Sequence, residues 1–190
     1  MNFQKLNILI GWTVFAIATS VYLMTMESTA SLWDCGEYIT AAYKLEVGHP
    51  PGAPLFMVLG RLFSFFAAPE SVALWINALS AISSSLTILF MFWSMSLLLK
   101  KLVLNQKGSI NTADGIMVIS ASAIAALAYT FSDSFWFSAV EGEVYAMASL
   151  FTAVIFWAAL KWDEEMNLAA DGNSAPNRWI LIIFFMLGLA

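Results

Sequence analysis

An all-α integral membrane fold, a polytopic helical bundle, is what this sequence predicts, and three observations predict it. The chain is 61% hydrophobic and only 11% charged, against roughly 25% charged residues in soluble domains. Its mean hydropathy is +0.79. The apolar residues fall in several long uncharged runs, separated by short polar stretches in which the charges, glycines and prolines collect. The net charge of −5 comes without a basic cluster, which argues against nucleic acid as a partner. Cys35, the single cysteine, excludes an intrachain disulfide.

Leu6 to Met26 has no charge and is flanked by Lys5 and Glu27. It is longer than the roughly 7–15 residue core of a signal peptide and reads as a first span. The next stretch, Ser31 to Leu55, is where chemistry-bearing residues crowd: Asp34, Glu37, His49 and the pair Pro50-Pro51. Gly52 to Phe66 is apolar but broken by Pro54, Gly60 and Arg61. It reads as an interfacial helix that starts at Pro51, proline being favoured in a first helical turn.

Ser71–Leu99 is long enough to cross with tilt, and its small-residue centre suits close packing in lipid. Lys100, Lys101 and Lys107 are expected to form a polar connector. Spans follow at 115–132 and 144–160, with a polar-aromatic loop at 132–143 between them. A charged loop, 161–177, carries turn residues Asp171-Gly172-Asn173, and Trp179 opens a fifth, incomplete span, 179–190. Twelve apolar residues fall short of the roughly 20 that a crossing needs. The chain therefore reads as the N-terminal part of one larger transmembrane domain.

Charge placement orients the spans. With the N-terminus cytoplasmic, Lys5, Lys100, Lys101, Lys107, Lys161 and Arg178 lie inside, and only Lys44 and Arg61 lie outside. Both polar loops, 27–70 and 132–143, then share the outer face. With them go Glu27, Asp34, Glu37, Glu46, Glu70, Asp133, Glu141 and Glu143, so two acidic loops flank one external cavity.

Each residue of that cavity has a plain structural reading beside its chemical one. Asp34 and Glu37, three apart, fit a capping box for a helix that runs on to Gly48. A capping carboxylate at a helix start can still face a substrate. His49, held extended by the proline after it, is either a turn histidine satisfied by backbone or a neutral imidazole orienting a hydroxyl or phosphate. Glu141 and Glu143 suit the N-terminus of the following helix. Phe131, Phe135, Trp136, Phe137 and Tyr145 read as interfacial anchors. Arg61 either snorkels or meets a carboxylate or lipid phosphate. The residues do not make a zinc set, while a carboxylate-held Mg²⁺ or Mn²⁺ is compatible with them.

Three motifs carry a resemblance: WDCGEY (33–38), GHPPGAPLF (48–56) with GRLF (60–63), and FSDSFWFSAVEGEVYAM (131–147). They resemble a bacterial membrane family catalogued as domain of unknown function 2723, itself similar to protein O-mannosyltransferases of the GT-C glycosyltransferase superfamily. The resemblance implies a GT-C-like fold with interfacial helices in the first external loop. It implies inverting transfer of a sugar from a polyprenyl-phosphate donor to a hydroxyl of a protein or glycan acceptor. This would occur at the outer face of the inner (cytoplasmic) membrane, among membrane lipids. It makes Asp34 the general base with Glu37 second, and gives substrate-binding roles to His49, Arg61, Asp133, Glu141 and Glu143. His49-Pro50-Pro51 matches the HPP of an HPPL motif, whereas Gly52-Ala53-Pro54-Leu55 departs from it. The acids are spaced D-x-x-E rather than adjacent, which leaves open which one is the base.

Two other classes compete with this reading. A transporter would place ionisable residues inside its spans, which here carry none, and a scaffold subunit would need no convergent acids. An epitope inserted within 132–143 is expected to be accessible from outside the cell; labelling only after permeabilisation would overturn the orientation.

Overall fold

The fold is seen in a computed structural model that describes residues 2–50, 52–168 and 177–189, and among these every regular element is helical. The elements are α1 (Phe3–Thr25), α2 (Cys35–Lys44), α3 (Pro54–Ser64), a 3₁₀ turn (Pro69–Ser71) and α4 (Val72–Lys107). After these come α5 (Thr112–Thr130), α6 (Asp133–Val140), α7 (Val144–Leu168) and α8 (Asn177–Leu189). Four of them, α1, α4, α5 and α7, are long and apolar enough to cross a membrane. The chain is thus a polytopic helical membrane protein. The expected turn at Asp171-Gly172-Asn173 lies outside the described residues, while the helix expected to start at Pro51 begins instead at Pro54, with Ala53 left-handed before it.

α4 is the hub, packing against α1, α5, α6, α7 and the α2–α3 pair. Its 36 residues extend roughly 54 Å at 1.5 Å per residue, well beyond ~30 Å of hydrocarbon. Small buried side chains along it, Ser80, Ala81, Ser83, Ser84 and Ser85, let neighbouring helices approach. Ser83, Ser85 and Thr87 satisfy their hydroxyls on carbonyls one turn back, so these polar groups cost little in an apolar surround.

The lysines expected in a connector are instead helical. Lysine is a good helix former, and the last turns of α4 are held by acids on neighbouring helices. Lys100 meets Glu164 at 2.9 Å, Lys101 pairs with Asp163, and Lys107 reaches Asp114 at 2.6 Å. Lys161 also meets Glu164, and Arg178 meets Glu165, each at 2.5 Å. α4 stops at Gly108, whose φ of +72° is open to glycine. Asn111 and Asp114 then form a capping box that opens α5, so that is where the capping box stands.

At the other end of α4, one buried cluster joins α1, α4, α5 and α6 around Tyr22, whose hydroxyl donates to the Thr130 carbonyl at 2.9 Å. Phe135, expected as an interfacial anchor, is buried in this cluster against Tyr22 and Tyr129. α6 makes the loop 132–143 mostly helical, and its inward face takes that ring. Phe131, Phe137 and Tyr145 are exposed. A second cluster joins α2 and α3 to the first turns of α4 and α7. Gly60 permits that packing, because a Cβ there would stand 2.8 Å from the Ala42 Cβ.

Gly60→Leu is expected to lower the thermal unfolding midpoint in detergent by the equivalent of about 1–3 kcal/mol of overpacking. An unchanged midpoint would mean that α2 and α3 do not meet there.

Candidate active site

α2 presents Asp34, Glu37 and Tyr38 on one face, at the i, i+3, i+4 spacing that stacks side chains on a helix. The loop after α2 folds back over that face. Leu45 ends the helix in the left-handed region with φ 56°, three residues short of the expected stop at Gly48. Glu37 then accepts the His49 backbone N–H on Oε1 at 2.6 Å and faces His49 Nδ1 with Oε2 at 3.1 Å. The ring lies 5.6 Å, centroid to centroid, from Tyr38. Its Nε2 is 3.9 Å from Asp34 Oδ2. His49 is therefore gathered onto Asp34 and Glu37 and is more than a turn residue held by backbone.

The capping box expected of Asp34 and Glu37 does not form. Asp34 has α-helical backbone angles and no side-chain cap hydrogen bond, so its carboxylate turns outward, 58% exposed. Trp33 before it is left-handed, with φ 66°. Glu37 has its carboxyl held below the ordinary range, first by the His49 backbone N–H and then by the His49 side chain.

The second acidic loop comes alongside through the first turns of α4. Asn77, fully buried, donates from Nδ2 to the carbonyls of Glu27 and Thr29 at 2.8 and 3.1 Å. One turn on, Ser80 exchanges hydrogen bonds with the Glu143 backbone, both at 3.3 Å. The Glu27 N–H donates to the Val140 carbonyl at 3.0 Å, and Ser31 Oγ donates to Glu141 Oε2 at 2.5 Å. Glu141 is buried by this arrangement, with 3% of its surface exposed. Gly142 fits only as glycine, since a Cβ would come within 2.8 Å of Asn77 Oδ1. Glu143 has its carboxyl pushed up, by burial first and then by the charges of Glu141 and Asp34.

The structure thus brings Asp34, Glu37, His49, Glu141 and Glu143 to one end of the spans. Asp133 is exposed in the first turn of α6. Arg61 donates from Nη1 to the Tyr43 carbonyl at 2.7 Å and stacks on Tyr43 and Phe65, so its contacts are with the end of α2 rather than with the acids. Reasoning from sequence missed Asn77, Ser80, Ser31 and Tyr38. An asparagine in the first turns of an otherwise apolar span was the one available signal. Two cavities of about 480 and 560 Å³ lie at the opposite, lysine-bearing ends of α4 and α7, away from this cluster.

One oxygen each of Asp34 and Glu37 and one nitrogen of His49 lie within 4.8 Å of one another. By donor type this set fits a divalent cation, and the imidazole suits Mn²⁺ better than Mg²⁺. Binding through Glu37 would draw on the carboxylate that now holds the His49 loop.

Fold and cluster together define an integral membrane protein whose carboxylates and imidazole converge at one end of its spans. The chain belongs to the family described as the protein O-mannosyl-transferase TMEM260 N-terminal domain, whose model matches residues 34–190. It is 30% identical over 146 residues to the protein O-mannosyl-transferase tmem260 of Dictyostelium discoideum, covering 76% of this chain and 16% of that protein. It is 30% identical over 151 residues to the protein O-mannosyl-transferase TMEM260 of Mus musculus, covering 80% of this chain and 19% of that protein. The matched region thus spans less than a fifth of either curated relative. No solved structure matches.

Two outcomes follow. Asn77→Ala removes the buried donor that holds the Glu27 and Thr29 carbonyls and is expected to cost about 0.5–1.5 kcal/mol per lost hydrogen bond, read as a fall in the unfolding midpoint; no change would remove Asn77 as the clamp. Glu143→Gln is expected to stabilise the protein at neutral pH. A carboxyl raised by folding favours the folded state below its unfolded value, and that contribution is lost as pH rises through the folded value. The gain over wild type should therefore shrink below about pH 4, under the ordinary glutamate value; a pH-independent gain would rule out the titration as its cause.

Proposed function

We propose that this chain supplies the acid–base site of a membrane glycosyltransferase of GT-C type. In this reading it moves mannose from a polyprenyl-phosphate donor to an acceptor hydroxyl at the outer face of the membrane. The observation that carries the reading is Asp34, exposed and free of any capping duty, beside His49 and facing the acidic 141–143 loop. The names of the relatives support the transferase class and the sugar. The resemblance to the bacterial family of unknown function 2723 supports a bacterial inner-membrane setting, and lysine placement supports an outward-facing site.

The chemistry needs a base on the acceptor and a way to release a phosphate. Asp34 takes the hydroxyl proton as the acceptor oxygen forms its bond to the anomeric carbon. The carbon–oxygen bond to phosphate breaks on the opposite face, which inverts the anomeric centre. Glu141 and Glu143 close the acceptor side, and Asp133 lies on the rim. α3 exposes Val58 and Leu62, with Phe65 and Phe66 just beyond its end, an apolar surface suited to lie in the interface. Arg61 on that helix is where the donor phosphate would be met. Mg²⁺ or Mn²⁺, where one takes part, would be held by Asp34, Glu37 and His49.

Asp34→Asn in the full-length protein is expected to reduce mannosyl transfer from polyprenyl-phosphate mannose by about a hundredfold or more. Its unfolding midpoint should be preserved, since no cap hydrogen bond is lost. Transfer at the wild-type rate would remove Asp34 from the chemistry.

A further inference from the structure

We propose that Glu37 is a positioning residue, which fixes His49 as the Nδ1–H tautomer so that the unprotonated Nε2 stands beside Asp34 and carries away the proton that Asp34 receives. The proposal rests on the transferase reading above and assigns the step that follows the transfer.

The geometry dictates the tautomer. An ionised carboxylate only accepts hydrogen bonds. Glu37 places Oε1 on the His49 backbone N–H at 2.6 Å and Oε2 on Nδ1 at 3.1 Å. In the neutral ring the proton therefore sits on Nδ1, and Nε2 keeps its lone pair. The Glu37 grip is two-pronged, and Tyr38, on the same face of α2, supports the ring. The ring is thus fixed in orientation as well as in tautomer. Nε2 faces Asp34 Oδ2 at 3.9 Å, a gap that a small torsion of the Asp34 side chain closes to hydrogen-bond length.

Protons balance through this pair. When the acceptor oxygen bonds to the sugar, its proton passes to Asp34, giving a carboxylic acid. The acid gives that proton to Nε2, which regenerates the carboxylate and makes an imidazolium stabilised by Glu37. His49, with 42% of its side chain exposed, then releases the proton to water. Glu37 touches neither substrate nor the reacting atoms.

Glu37→Gln separates holding from tautomer. The amide oxygen still accepts the His49 backbone N–H, so the loop keeps that hydrogen bond, weakened by the loss of charge. The amide NH₂ now faces Nδ1 and donates to it, which moves the ring proton to Nε2 and closes the relay. The test is ¹⁵N-histidine NMR on the full-length protein in detergent, with the His49 signals assigned by their loss in His49→Asn. In the neutral ring, wild type is expected to show Nδ1 protonated and Nε2 bare, and Glu37→Gln the reverse. Mannosyl transfer by Glu37→Gln should fall about a hundredfold and be partly restored by millimolar imidazole, which a merely structural defect would not allow.

Wild type with the proton on Nε2, or an unchanged tautomer in Glu37→Gln, would overturn the proposal. So would His49 signals broadened by equimolar Mn²⁺ together with a rate increase, which would make the three residues a metal site. A reversed tautomer with full transfer by Asp34→Asn would instead overturn the transferase role of Asp34 and leave the Glu37–His49 geometry standing.

Discussion

The arrangement depends on two polar side chains near the start of an apolar helix. Asn77 and Ser80 lie one turn apart on α4, and between them they hold the backbone of both acidic loops, 27–29 through Asn77 and 143 through Ser80. Each of these hydrogen bonds is worth about 0.5–1.5 kcal/mol net, and together they tie both loops to one helix. The same clamp presses the loops together closely enough for Glu27 to bond Val140 and for Ser31 to reach Glu141. Convergence of the acids is thus a by-product of giving the buried Asn77 NH₂ its acceptors.

A second constraint separates the charges along α4. From Asn77 to Lys100 is 23 residues, roughly 35 Å of helix, close to the thickness of the hydrocarbon layer. At the lysine end every acid of the described cluster has a cation: Glu164 has two, and Asp163, Glu165 and Asp114 have one each. At the Asn77 end, Asp34, Glu37, Glu141 and Glu143 share a single imidazole. Paired charges at one end are structural. The surplus of carboxylate at the other raises Glu143, and Asp34 there turns outward with no cap hydrogen bond and His49 beside it.

Much of this was legible in residue order. The uncharged runs marked the spans, and lysine placement put the acids of 27–70 and 132–143 on one face. What misled was local spacing. D-x-x-E at 34 and 37 has the form of a capping box, yet the left-handed Trp33 before it turns the chain so that Asp34 cannot cap. N-x-x-D at 111 and 114, of the same form, does make one. The His49 contacts join residues 12 apart through a reversal set by Leu45, and no helical or strand period encodes such a turn. Asn77 was hidden because one amide in a long apolar run leaves the hydropathy of that run almost unchanged.

The reversal also explains why a carboxylate, rather than any hydrogen-bond acceptor, sits at position 37. Trp33, Leu45 and Ala53 are the non-glycine residues with positive φ among those described, and they bracket α2 and the His49 loop. Each carries a strain of order 1 kcal/mol that glycine would not, so the loop has to be held from outside. Glu37 does this through a charge-assisted bond to the His49 backbone, stronger than a neutral acceptor would make. Because folding lowers the Glu37 carboxyl below its ordinary 4.5, the contribution is complete above that value. It is lost as pH falls through the lower folded-state value. The loop is therefore anchored at neutral pH, and the residue proposed to set the imidazole tautomer is the one that offsets the strain of bringing it there.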